Sequence, residues 1–242
     1  MDIGTETNRP IQEIFGEVAA TYEKANRVLT LGLDRHWRKR AARRAVRQGG
    51  TRWLDVCSGT GEMAEILSRR ASADTQIIAL DFSPPMLSRA RGKAMSRPAE
   101  FVLGDVKRLP FPDASVDLIT LSFATRNINL SKEILTATFR EFRRVLRPGG
   151  RFVNLETSQP RNRIIRKLFH GYVRLLVKRV GSRISGSLAG YTYLSATISR
   201  FYGAEELRSI LSAAGFASVT VKRLLFGAAA IHTSTKAWKF VL

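Results

Sequence analysis

The residues best placed to do chemistry are acids at the ends of short apolar segments. Leu54-Asp55-Val56-Cys57-Ser58-Gly59-Thr60-Gly61 sets one acid ahead of a glycine-rich turn. Gly59 and Gly61 leave room for a ligand against the backbone, and Asp55 can accept a hydrogen bond from an ammonium group. The dinucleotide version of this turn uses three glycines and holds a pyrophosphate at a helix N-terminus. Here the acid precedes the glycines and the three-glycine spacing is absent, which favours a cationic amino-acid ligand over a diphosphate. Asp81 lies 20 residues after Gly61, where a carboxylate can take both hydroxyls of a ribose. Asp105 follows a third apolar segment and can accept from an adenine amino group, with the Val106 amide close by. Ser122 lies within a fourth. The three histidines (His36, His170, His232) are far apart and Cys57 is the one cysteine, so neither a metal site nor an intramolecular disulfide is expected.

Those acids need a scaffold that brings segment ends together. The spacing predicts strands at 53–56, 76–80, 101–103, 116–123 and 151–156, with helices at 62–70, 84–94 and 134–146, the last stopped by Pro148-Gly149-Gly150. A helix at 205–214 closed by Gly215 and strands at 216–225 and 229–239 complete the pattern. Alternation of this kind implies a mostly parallel sheet of seven strands with helices on both faces, and such sheets bind ligands at their strand ends. Residues 1–50 form an N-terminal helical region. Its first helix carries Ile11, Ile14, Phe15 and Val18 at helical spacing, and its basic second helix starts near Asp34 as N-cap. Residues 51–156 form the ligand-binding core, 157–203 an inserted helical cap, and 204–242 the part that completes the core.

The 242 residues carry 40 Lys and Arg against 20 Asp and Glu, a formal net charge of +20. Either an Arg-rich genome or an anionic partner accounts for the total. Its placement is more specific. Arg163, Arg166, Lys167, His170, Arg174 and Lys178 fall within a helical arc of about 120°. Ile165, Leu168, Phe169, Tyr172, Val173, Leu176 and Val180 fill the other side, and no acid occurs from Thr157 to Ala204. Such a helix suits an anionic membrane interface, although an ordinary helix with a solvated basic face shares the pattern. No apolar run reaches about 18 residues, so a spanning helix is not expected. The polar first ten residues do not read as a signal peptide. These features suit a cytoplasmic protein, peripheral at the inner face of the cell membrane.

With these segments identified, the sequence resembles the class I methyltransferases. Asp81-Phe82-Ser83-Pro84-Pro85-Met86-Leu87, Gly104-Asp105 through Leu109-Pro110-Phe111, and Arg147-Pro148-Gly149-Gly150 repeat their later motifs. More narrowly it is similar to the ubiquinone/menaquinone biosynthesis C-methyltransferase family. Phe15, Ala19, Tyr22, Asn26, Gly32, Trp37 and Arg38 match that family's N-terminal signature. Ser122-Phe123-Ala124-Thr125-Arg126-Asn127 and Tyr191-Thr192-Tyr193-Leu194 match two narrower segments, and Phe201, Gly215-Phe216, Gly227 and Ile231-His232 match its C-terminal third. Departures stand at Glu23, Ser58, Thr30-Leu31, Asp34 and Ala124-Thr125.

The resemblance implies a Rossmann-like fold with S-adenosylmethionine as methyl donor, held by Asp55, Gly59, Thr60, Gly61, Asp81, Met86, Asp105, Val106 and Ser122. It implies C-methylation on the ring of a prenylated quinol, with Arg126 stabilising a phenolate and Asn127 and Tyr22 orienting the ring or a proton-accepting water. A homodimer is compatible with it. Another membrane-borne prenylated aromatic, such as a phenazine or tocopherol-like ring, or another lipid, is the neighbouring reading. A basic RNA methyltransferase is the reading from another class. Against nucleic acid stand the absence of an RNA-binding module, of a catalytic Cys motif and of an Asn-Pro-Pro-Tyr-type segment.

Overall fold

A computed structural model of the chain describes residues 9–238. Three helices open it: α1 (Arg9–Val18), α2 (Tyr22–Leu29) and α3 (Leu33–Ala45). The side chains of Ile11 and Ile14 and the strand end expected at Lys239 lie outside the described residues. The core then alternates β1 (Arg52–Val56), α4 (Glu62–Ser68), β2 (Gln76–Asp81), α5 (Pro84–Arg91), β3 (Ala99–Leu103), β4 (Val116–Ser122), the short α6 (Thr125–Ile128), α7 (Lys132–Val145) and β5 (Leu146–Thr157). The cap comprises α8 (Arg163–Tyr172), a π turn at Val173–Val177, α9 (Lys178–Ser185) and α10 (Leu188–Arg200). Helix α11 (Ala204–Ala213), β6 (Ser218–Leu224) and β7 (Ala229–Thr235) follow.

The strands form one seven-stranded sheet in the order β3-β2-β1-β4-β5-β7-β6. All pairings are parallel except those of β7, which runs antiparallel to both β5 and β6. The order reverses between β1 and β4, so a crevice opens beyond their carboxyl ends, where ligands bind in sheets of this kind.

Apolar alternation along the strands feeds both faces. On one face Phe139 and Phe142 of α7 pack with Phe152 of β5 and with Leu207 and Ile210 of α11. On the other, Trp37, Ala41, Ala42 and Ala45 of α3 pack with Met63, Ile66 and Leu67 of α4. A third cluster joins the cap to the N-terminal helices through Val18, Ala25, Leu29, Val173, Val177, Tyr191 and Ile198. Further ties run between these parts: Gln12 Nε2 donates to the Phe82 carbonyl (2.8 Å), Lys93 pairs with Glu23 (2.6 Å) and Ser187 Oγ donates to Glu17 (3.0 Å). The Tyr172 hydroxyl donates to the Leu29 carbonyl.

Two local expectations are corrected. Gly32, at φ +77°, is the N-cap of α3, and Asp34 lies inside the first turn. Asp34 is buried because Arg38, four residues on, and Thr30 take its two oxygens. Helix α7 ends at Val145, ahead of Pro148, and the chain passes straight into β5. Residues 147–150 form a bulge there, since Val116 pairs with Leu146 but Leu118 pairs with Arg151.

Candidate active site

The carboxyl ends of β1, β2 and β4 open into one cavity. Asp55, Gly59, Thr60, Asp81, Met86, Asp105, Val106, Ser122, Asn127 and Tyr22 all line it. Of the remaining expected residues, Gly61 does not. A Cβ at Gly61 would lie 3.0 Å from the Ala90 Cβ, so this glycine lets α4 start against α5 instead of facing a ligand. Gly59, at φ +54°, is the glycine whose missing side chain leaves open space.

The donors and acceptors of this cavity are unevenly satisfied. Asp81 accepts from the Gly59 amide (2.7 Å) and the Ser83 amide (2.9 Å), which ties the glycine turn to the end of β2. Burial raises its pKa and those amides partly offset the rise. Asp55 Oδ1 accepts from Thr120 Oγ1 at 2.6 Å, while its Oδ2 is buried with no partner. Asn127 Oδ1 is also buried without one, as are the Ser58 and Ser122 hydroxyls. Orphaned carboxylate and carbonyl oxygens require a ligand that donates. Asp55, Glu62, Asp81 and Asp105 outnumber the cations Arg38 and Lys107 along the wall, so a diphosphate would be repelled there. An ammonium group beside Asp55 and hydroxyls beside Asp81 fit this donor-poor lining, as does S-adenosylmethionine, which carries both.

Burial pushes Asp55 up to about 7, against the hydrogen bond from Thr120. It also lifts the Cys57 thiol well above its ordinary value, so Cys57, at φ +50°, serves the turn as a small neutral residue.

A second, apolar cavity of about 410 Å³ lies under the cap and the N-terminal helices, walled by residues such as Leu29, Leu33, Trp37, Phe169, Val173 and Ile198. Its size falls within the usual range for small-molecule sites. Arg126 lines this cavity, not the first. Tyr22, Arg38 and Phe123 line both, so the polar and apolar spaces adjoin.

Two buried ion-pair networks stand beside these cavities, and the spacing of the sequence does not disclose them. Arg126 Nη1 pairs with Glu156 Oε1 at 2.8 Å, and the Thr157 amide also donates to Oε1. Arg38 pairs with Asp34 (3.1 Å) and Glu62 (3.2 Å), its guanidinium 4.9 Å from the centre of the Phe123 ring. Burial raises the Glu62 pKa. Arg38 belongs to the basic helix α3 but is itself buried. Its true orientation was signalled by Trp37, Ala41, Ala42 and Ala45, which mark the buried side. His232 is buried with Nε2 2.8 Å from the Ala204 carbonyl, and burial lowers its pKa. It joins β7 to α11 and does not reach either cavity.

Comparison with known proteins places the chain in a family. The chain is 38% identical to the demethylmenaquinone methyltransferase of Thermus thermophilus over 225 residues, 92% of this chain and 100% of that protein. It is 36% identical to the ubiquinone/menaquinone biosynthesis C-methyltransferase UbiE of Rubrivivax gelatinosus, covering 96% and 89%. Among solved structures, a SAM-dependent methyltransferase of Thermotoga maritima superposes with a TM-score of 0.62 at 18% identity, covering 93% of this chain and 98% of that one. The profile of the ubiE/COQ5 methyltransferase family matches residues 3–236. The chain belongs to the ubiE/COQ5 methyltransferase family, and it is a methyltransferase whose methyl donor is S-adenosylmethionine.

Proposed function

We propose that the protein methylates a ring carbon of a prenylated quinol, of the demethylmenaquinol type, in respiratory quinone biosynthesis. The observation that carries this reading is the shared wall of the two cavities: Tyr22, Arg38 and Phe123 belong to both. One space is polar and rich in acceptors, and the other is apolar. A charged methyl donor and a hydrophobic ring acceptor suit that division.

S-adenosylmethionine supplies a methyl group already activated by its sulfonium. In this reading Asp55 holds its ammonium, Asp81 its ribose hydroxyls, and Asp105 with the Val106 amide its adenine. Gly59, Thr60, Met86 and Ser122 complete the fit. The ring must lose a phenol proton before its ortho carbon becomes nucleophilic, and an ordinary phenol has a pKa near 10. Arg126 stays protonated and is no base. Because Glu156 balances its charge, Arg126 contributes directed N–H donors to the forming phenolate, and its Nε is buried without a partner. Asn127 and Tyr22 orient the ring or a proton-accepting water. When bound, S-adenosylmethionine would give its methyl to the ring carbon and leave as S-adenosylhomocysteine, and the ring hydrogen would pass as a proton to the water that Asn127 and Tyr22 orient.

The basic cap helix supports a peripheral location at an anionic membrane surface, where a prenylated quinol resides. Among the described residues no helix is long and apolar enough to cross a membrane.

The test is incubation with S-adenosylmethionine and reduced demethylmenaquinone, followed by mass detection of one added methyl. Parallel arms use a demethylated benzoquinol, a phenazine and RNA. Methylation of the naphthoquinol is expected. Transfer to one of the other acceptors alone overturns the ring assignment.

A further inference from the structure

Several side chains that line the apolar cavity are also largely open to solvent. Leu31 is 87% exposed, Phe226 78% and Leu168 70%, and Leu225 is half exposed beside them. A residue that lines a cavity while facing water stands at its mouth. These four come from three separate pieces of chain: the α2–α3 turn, the β6–β7 turn and helix α8. Ile164, 72% exposed, extends the apolar rim along α8.

The backbone makes this exposure more telling. Leu31 (φ +52°), Leu225 (φ +42°) and Phe226 (φ +54°) all adopt left-handed conformations that normally favour glycine. Both turns are pinned. Gly32 N donates to the Arg27 carbonyl at 2.8 Å, and Ala228 N donates to the Leu225 carbonyl at 2.9 Å. Large apolar side chains are therefore held at two fixed tips, mostly open to solvent. Exposed apolar groups gathered at one opening mark an interaction surface.

The flanking charge selects the partner. Arg27 precedes the first tip and Lys222 the second, α8 adds Arg163, Arg166 and Lys167, and Arg223 is paired with Glu205. Apolar tips inside a basic margin complement a bilayer with anionic headgroups, where the charge meets phosphates and the tips reach acyl chains. We propose that the Leu31 turn and the Leu225-Phe226 turn insert into the acyl region of an anionic membrane and set the mouth of the apolar cavity directly on the lipid. A prenyl tail then passes from bilayer to cavity without crossing water. This deepens the ring-methylation reading and rests on its lipid-borne substrate. It places the main contact on two loop tips, with the basic face of α8 as the electrostatic margin.

The experiment uses the full chain, vesicles of phosphatidylcholine with phosphatidylglycerol, and the double variant Leu31→Ser with Phe226→Ser. Unchanged far-UV circular dichroism and unchanged S-adenosylmethionine affinity establish that the variant is folded. Cosedimentation is expected to fall at least tenfold in the variant. Tryptophan at position 226 (Phe226→Trp) is expected to shift its emission to the blue with vesicles and to be quenched by brominated acyl chains. Equal cosedimentation of variant and wild type, or a tryptophan that vesicles leave unchanged, overturns the proposal. A wild-type dimer that the variant converts to a monomer without lipid also overturns it, by assigning the tips to a second copy. The ring reading is checked separately with a short-tailed quinol free in buffer. If wild type fails to methylate that compound, the ring reading falls whatever the vesicles show.

Discussion

Burial holds Asp55 near a pKa of about 7, so the acid proposed to hold the ammonium group of the donor titrates close to neutral pH. A cationic ligand favours the carboxylate, and binding must therefore remove a proton at lower pH. Affinity for S-adenosylmethionine is expected to fall as pH drops through 7, toward tenfold per pH unit, measured by calorimetry. Asp55→Asn should flatten that profile and weaken binding by about 2–3 kcal/mol, the scale of a charged hydrogen bond. The apo protein should move the other way. A raised folded pKa gives stability that is fully present below the unfolded value and is lost as pH rises through 7, so the wild type should gain stability over Asp55→Asn on mild acidification. The Arg126–Glu156 pair is a separate case. Glu156→Gln strands a buried guanidinium and should cost about 3–5 kcal/mol. Replacing both residues by leucine should recover most of that stability yet leave turnover abolished, with S-adenosylmethionine affinity near wild type. Recovery of turnover would remove Arg126 from the chemistry. Arg126 is singled out in the sequence by the resemblance of the segment that follows the fourth strand. Glu156 was hidden because it lies 30 residues away and meets Arg126 only when β5 pairs beside β4.

Strands and helices of the core were legible because a buried parallel sheet demands apolar runs and because the helices carry clear 3.6-residue periods. Boundaries failed where tertiary pairing overrode local signals. Pro148-Gly149-Gly150 looks like a stop for α7, yet the chain was already extended at Leu146, where it pairs with Val116. Gly149 is needed for another reason: at φ +76° a Cβ would meet the Trp238 ring at 2.3 Å. Asp34 looked like a cap until burial beside Arg38 made it half of an ion pair. In the cap the basic stripe was readable, whereas the packing between α9 and α10 was not. A Cβ on Gly181 would sit 2.0 Å from Tyr191 Cδ1, so the two helices approach through this glycine. Gly181→Ala should therefore overpack the cap and cost about 1–3 kcal/mol. Hydrogen exchange over residues 178–200 should speed up and the KM for a long-tailed quinol should rise. S-adenosylmethionine affinity should stay near wild type, because Asp55, Asp81 and Asp105 stand on core strand ends. A loss confined to donor binding would mean that the cap does not serve the acceptor.

For the whole molecule, a net charge of +20 means that folding brings many cations together. One such concentration lies along α3 and the start of β5. Arg44 and Arg47 line two adjoining hollows there, one with His36, Arg40 and Arg43 and the other with Arg151, Thr220 and Thr233. Among the described residues no acid lines either hollow. Burial, and then the charge of Arg47, lowers the Arg151 pKa, which is the mark of a cation held against its preference. Arg151 stays because its Nη1 donates to the Arg44 carbonyl at 2.5 Å and so closes the end of α3 onto β5. Among the described residues Arg47 has no such bond, and its charge repels that of Arg151. Arg47→Glu should turn that repulsion into attraction and raise Tm by about 1–3 °C, a fraction of a kcal/mol for a chain of this size. Added salt should raise the wild-type Tm more than that of the variant, since screening acts on the same repulsion. Calorimetric scans at low and high ionic strength give both numbers. A variant with lower Tm at every salt concentration would show that Arg47 makes a favourable contact, and that the charge here is held by more than the geometry of α3 and β5.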